Sequence, residues 1–235
     1  MAVFVLVHGA WQGGWCWKRV AELLRESGHE VFTPTLTGLG ERAHLLNSKI
    51  DVDTHIQDIL GVIECEELSD ITLCGHSYGG MVITGVADKV PEHIRSLVYL
   101  DALVPENGQS ALDLLPTETT SSFLESARTT GAGFRVAPGR AGNFGVNIQD
   151  QAWVDRRCVD QPLKTFEQAI YLEGAWNQIP RHVYIYATGW DPGIGEQFFD
   201  QAQREAGWEA ITMQCGHDVM IDKPQELTQI LMASI

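Results

Sequence analysis

The chain has 235 residues, 31 of them acidic and 16 basic, and a formal charge of -15 at pH 7. That length buries a full core and makes one domain, or one domain carrying an insertion. The charge argues against nucleic acid or anionic membrane as a partner, because both are held by clustered Lys and Arg, and leaves small molecules as the expected ligands.

The first element is the apolar run Val3 to Val7, which reads as a strand buried on both faces. It is too short to cross a bilayer and follows no basic segment, so no signal peptide or membrane helix is expected and a cytoplasmic location is. The loop that follows, "VHGAW", brings Gly9 and Ala10 close to whatever lies at the strand end, and Trp11 and Gln12 are candidate pocket walls. Trp17, Val20, Ala21 and Leu24 recur at helical spacing until Gly28. A strand over Glu30 to Thr33 comes next, then a helix carrying Ile56, Ile59, Leu60 and Ile63 behind Asp53 as N-cap.

Ile71 to Cys74 is a third strand, followed at once by "CGHSYGG" and the helical stretch "MVITGVADKV". A fourth strand covers Ser96 to Leu100. From Pro105 to Gln178 the strand rhythm stops; helical pieces at Thr119 to Arg128, Gln151 to Val159 and Pro162 to Leu172 predict a helical cap over the carboxyl edge of the sheet. Within it Phe123, Phe134, Trp153 and Trp176 are the candidates to size a pocket. Strands over His182 to Ala187 and Glu209 to Met213, and a helix from Pro224 with Leu227, Ile230 and Leu231, close the chain. Six strands alternating with helices predict an α/β fold with a parallel sheet covered on both faces; residues 1–104 and 179–235 form the core and 105–178 the insertion.

Five scattered cysteines (Cys16, Cys65, Cys74, Cys158, Cys215) form no CxxC pair. The expectation is reduced thiols, with no disulfide framework and no metal site.

Gly75-His76-Ser77-Tyr78-Gly79 fits G-x-S-x-G between a strand and a helix, the context that pattern needs. A serine on so sharp a turn tolerates no side chain two residues away on either side, and its hydroxyl stands exposed at a helix N-terminus. Serine is a weak nucleophile, so it needs a base and an orienting acid from later in the chain. His217, in "QCGHDVM" after the last strand, is the best-placed base. His8 and His76 adjoin the glycine turns and read as residues shaping them; His29, His44, His55 and His93 read as surface residues; and His182 lies at the far edge of the sheet. For the acid, Asp191 in "YATGWDPG" is favoured over its rival Asp101, which follows "LVYL"; Asp218 and Asp222 read as solvated or capping residues. The backbone NH groups of Ala10 and Tyr78 are the expected oxyanion donors.

"FVLVHGAWQGGWCW", "GHSYGGMV" and "CGHD" together resemble the α/β-hydrolase superfamily, in its small-esterase branch shared with plant methylesterases and hydroxynitrile lyases. The resemblance implies a reduced, six-stranded sheet here, because Val3 already opens the strand that bears His8. It assigns Ser77, Asp191 and His217 to the triad and Ala10 and Tyr78 to the oxyanion hole. It also implies that lyases of this branch carry Thr beside the first histidine and Lys after the catalytic one, where this chain has Gly9 and Asp218. Ser77 sets it apart from members that use an aspartate at the same turn.

The resulting expectation is an esterase acting on small carboxylic esters without a cofactor. The alternatives are a hydroxynitrile-lyase-like or carbon-carbon cleaving enzyme using the same triad, and a non-catalytic ligand receptor on the same fold. A cap surface or an edge strand could pair two copies into a homodimer.

Overall fold

The computed structural model describes residues 1–190 and 194–235. In chain order the elements are β1 (Val3–Val7), α1 (Lys18–Glu26), β2 (Glu30–Phe32), α2 (Val52–Cys65), β3 (Ile71–His76), α3 (Gly79–Lys89) and β4 (Ile94–Leu100). After β4 come α4 (Ala111–Leu114), α5 (Thr117–Thr129), β5 (Arg135–Val136), α6 (Gln151–Asp155), β6 (Gln161–Pro162) and α7 (Lys164–Glu167). The chain then completes its core with β7 (Arg181–Ala187), α8 (Gly195–Arg204), β8 (Trp208–Met213), α9 (Val219–Asp222) and α10 (Pro224–Ala233).

Six strands form one parallel sheet in the order β2-β1-β3-β4-β7-β8. Parallel neighbours need crossovers, and the helices supply them on both faces. Alternation along the strands separates the two faces: Val5, Val7, Leu73, Leu97, Tyr99 and Tyr184 pack under α2, α3 and α8. Phe4, Leu6, Cys74, Val98, Val183 and Ile185 pack under α1 and α10. All six carboxyl ends therefore point to one edge, where the order changes direction between β1 and β3, the place where open α/β sheets hold ligands.

Helix α2 differs from expectation at its start. Asp51, not Asp53, is the N-cap: its side chain accepts from Thr54 N at 3.0 Å, and the Thr54 hydroxyl answers the Asp51 backbone. The insertion between β4 and β7 also differs. Helix α6 stops at Asp155, and the stretch expected to be helical to Leu172 holds a single turn, α7. Val136 and Arg135 pair with Gln161 and Pro162 in a short antiparallel ladder that two-residue strands give no periodicity to reveal. Trp11 pins this ladder to the core: its backbone NH donates to Gln161 Oε1 and its indole NH to Val136 O, both at 2.9 Å. Lys164 reaches Asp51 at 2.8 Å and Gln168 reaches Asp53 at 2.7 Å, tying the insertion to the start of α2. Among the described residues no helix is long and apolar enough to cross a membrane.

Candidate active site

The turn after β3 places Ser77 at φ 54, in the left-handed region where an L-residue costs about 1–2 kcal/mol. Three backbone hydrogen bonds hold it there: Ser77 N donates to Leu100 O at 3.1 Å, and Ser77 O accepts from Gly80 N at 3.0 Å and from Leu103 N at 3.1 Å. The flanking glycines are required by space. A Cβ on Gly75 would lie 2.6 Å from Gly79 O, and one on Gly79 would lie 2.9 Å from His8 O.

His217 emerges in the loop after β8 and is buried. Its Nδ1–H donates to Asp101 Oδ2 at 2.6 Å, which leaves Nε2 as the basic nitrogen of the ring. Its own NH donates to Phe144 O at 2.9 Å and its carbonyl accepts from His76 Nε2 at 3.0 Å, so the ring is held from the backbone as well. Asp101 follows β4 at φ 45, with its NH on Ile185 O at 2.7 Å and its Oδ1 accepting from Ala187 N at 3.2 Å. The sequence favourite for the acid, Asp191, lies outside the described residues. Asp218 does not point into solvent as expected: it is buried, accepts from Gln12 Nε2 at 2.9 Å, and burial pushes its carboxyl above the usual range.

The other histidines separate into scaffold and surface. His8 donates from Nδ1 to Gly9 O at 2.8 Å and accepts Leu36 NH on Nε2 at 3.0 Å, which shapes the loop beside Ser77 as expected. His55, expected at the surface, is fully buried; Tyr78 donates its hydroxyl to Nδ1 at 3.0 Å, and Nε2 donates to Thr37 O at 2.9 Å. It occupies the apolar stripe of α2 with Val52, Ile56 and Ile59, a helical spacing that was there to be read. Burial pulls both His8 and His55 down to about 4, from 6.5. In the pH window between those values the unfolded chain binds more protons than the folded one, so stability rises with pH. Urea midpoints are therefore expected to fall as pH is lowered from about 6.5 to 4, and a flat profile across that window would contradict the neutral, buried assignment.

Above Ser77 and His217 opens a cavity of about 210 Å³. Its walls are mostly aromatic and aliphatic: Trp11, Leu103, Phe123, Phe144, Phe166 and Trp190. Trp11 meets Phe123 edge-on at 5.4 Å and Phe166 at 5.8 Å, so the predicted walls Trp11 and Phe123 form one aromatic surface. Ala10 and Tyr78 also line this cavity, and among the described residues neither backbone amide donates to a protein acceptor. Gln12 does not line this cavity; it lines an adjoining recess that shares Ala10, Trp11, Ser77, Phe144 and His217 with it. Trp153 and Trp176 do not reach the cavity. Trp153 packs edge-on against Trp15 at 5.0 Å under the Arg157 guanidinium, and Trp176 packs against His182 and Trp208, at the start of β7 and β8, the opposite edge of the sheet. Both fill apolar gaps between insertion and core.

The chain matches the family described as "Alpha/beta hydrolase family" over residues 4–230. It belongs to that family. Among curated relatives, this α/β-hydrolase is 49% identical over 247 residues to the carbendazim hydrolyzing esterase of a Nocardioides species, with 99% of each chain covered. It is 30% identical over 165 residues to methylesterase 1 of Arabidopsis thaliana, a match covering 64% of this chain and 48% of that protein. Among solved structures, an extracellular α/β-hydrolase from a Paenibacillus species superposes with a TM-score of 0.87 at 25% identity, covering 100% of this chain and 99% of that one. The protein is thus an enzyme of the esterase type, built on a six-stranded parallel sheet.

Proposed function

We propose that this α/β-hydrolase cleaves small, neutral carboxylic esters through an acyl-enzyme at Ser77. One observation carries the reading: a serine on a left-handed strand-to-helix turn and a histidine anchored by a buried carboxylate wall the same apolar cavity. His217 Nε2 takes the Ser77 proton as Oγ attacks the ester carbonyl, and then delivers it to the departing alkoxide. Asp101, rather than Asp191, keeps the imidazole in the tautomer with Nε2 unprotonated and stabilises the imidazolium that forms. The amides of Ala10 and Tyr78 receive the oxyanion. Water then releases the acid.

The substrate class follows from the walls. Aromatic rings hold a flat or apolar acid portion, and the described lining carries no Lys or Arg to receive an anionic one. Residues 105–178 act as the lid that supplies half of these walls. Carbendazim, the compound named for the Nocardioides relative, is the first substrate to try. A buried Asp218 already engaged by Gln12 favours hydrolysis over the lyase chemistry that the resemblance associates with a lysine there.

Labelling with a fluorophosphonate and mapping the adduct tests the nucleophile directly. The expected result is one adduct, on Ser77, whose formation is suppressed by competing ester. Attachment elsewhere, or none, overturns the reading.

A further inference from the structure

A second recess at Ser77 and His217 measures about 30 Å³ and is lined by both of those residues together with Gln12, His76, Cys158 and Asp218. A cavity of roughly 10–15 Å³ on this measure already holds one water molecule, provided polar partners are present. One such partner is conspicuous. Gln12 is 5% exposed, its Nε2 donates to Asp218 Oδ1 at 2.9 Å, and its Oε1 has no hydrogen-bond partner among the described residues. A buried carbonyl oxygen left unpaired costs free energy that a water restores.

We infer that this recess seats the water that deacylates the enzyme, and that Gln12 is the residue that positions it. The inference rests on the acyl-enzyme reading above. Asp218, acceptor for the Gln12 amide NH2, fixes which end of the carboxamide faces away from it, so Oε1 is presented as an acceptor. A water there donates one hydrogen to Gln12 Oε1 and the other to His217 Nε2. Both hydrogens being engaged, the lone pair left on the water oxygen is directed to the acyl carbon on Ser77. As the oxygen–carbon bond forms, the proton passes to Nε2; when the carbon–Oγ bond breaks, that proton returns to Oγ and the acid leaves. The larger cavity meanwhile keeps the acyl group, while the recess, which shares Ser77 and His217 with it, keeps the water. Gln12 touches the attacking water and not the ester, so acylation does not need it.

The test separates the two half-reactions with 4-nitrophenyl acetate under rapid mixing, with the acetyl-enzyme followed by intact mass. Gln12→Leu is expected to leave the initial burst of nitrophenolate unchanged while acetyl-enzyme decay slows about tenfold or more, the loss of one hydrogen bond to a positioned reactant. In steady state kcat and KM then fall together and kcat/KM holds. Ala141→Val, which narrows the recess without touching Gln12, is expected to give the same pattern and covers the case where Gln12→Leu fails to fold. Unchanged decay in a folded variant overturns the inference. Equal slowing of burst and decay also overturns it, since Gln12 would then be a strut for the loop. A wild-type protein that forms no acetyl adduct at all would instead remove the acyl-enzyme reading itself.

Discussion

Replacing Ser77 by alanine lowers kcat on a small ester by about 10⁵-fold, the scale at which loss of a serine nucleophile removes the covalent route and leaves only binding and the oxyanion donors. Ser77→Gly is equally inactive, and comparing the two exposes what the turn stores. At φ 54 alanine keeps the left-handed strain and glycine does not. Even after glycine's greater freedom in the unfolded chain is subtracted, Ser77→Gly should be the more stable by about 1 kcal/mol, read as a higher denaturation midpoint. The strain is maintained by Leu100 O and the Leu103 and Gly80 amides, which grip the turn from β4, the loop after it and α3. Activity surviving in Ser77→Ala, or a glycine variant no more stable than the alanine one, would remove the elbow from the account.

Asp101→Asn lowers kcat by about 10³–10⁴-fold with the fold intact, while Asp191→Asn stays near wild type. The reason lies in the hydrogens. Ala187 N donates to Oδ1, so asparagine keeps its carbonyl there and turns its NH2 toward His217. The imidazole must then accept on Nδ1 and carry its proton on Nε2, where it can no longer take one from Ser77. Steady-state rates of the two asparagine variants, with circular dichroism to verify folding, decide between the carboxylates. Near-normal turnover in Asp101→Asn together with collapse in Asp191→Asn would reverse the assignment.

The contrast between these two aspartates shows where reading a sequence stops. All six core strands were legible: the inner four are largely apolar runs buried on both faces, the partly exposed edge strands β2 and β8 still carry short apolar or β-branched runs, and each connection is long enough for a helix. The positions of Ser77 and His217 at one edge were legible because each follows a strand of the parallel sheet. Asp101 and Asp191 satisfy that criterion equally, and sequence spacing does not encode the left-handed φ of 45 or the Ala187 amide that aims the Asp101 carboxylate. Tryptophans in the insertion were ambiguous for a different reason. A ring large enough to wall a cavity also fills a gap between layers, and Trp153 and Trp176 do the second. His55 was misread although its signal was present, since a histidine among Val52, Ile56 and Ile59 sits on the inward stripe whatever its polarity.

Taking the histidine's partner from the end of β4 places nucleophile and acid on adjacent strands, β3 and β4, joined by the Ser77 to Leu100 hydrogen bond. Among the described residues, the connection after β7 then contributes walls, through Trp190 and Ile194, and the Trp190 ring packs on His217 with centroids 4.3 Å apart. Fit and reactivity are therefore coupled at one ring: the indole on which an acid portion would rest also leans on the imidazole, so exchanging Trp190 alters both at once.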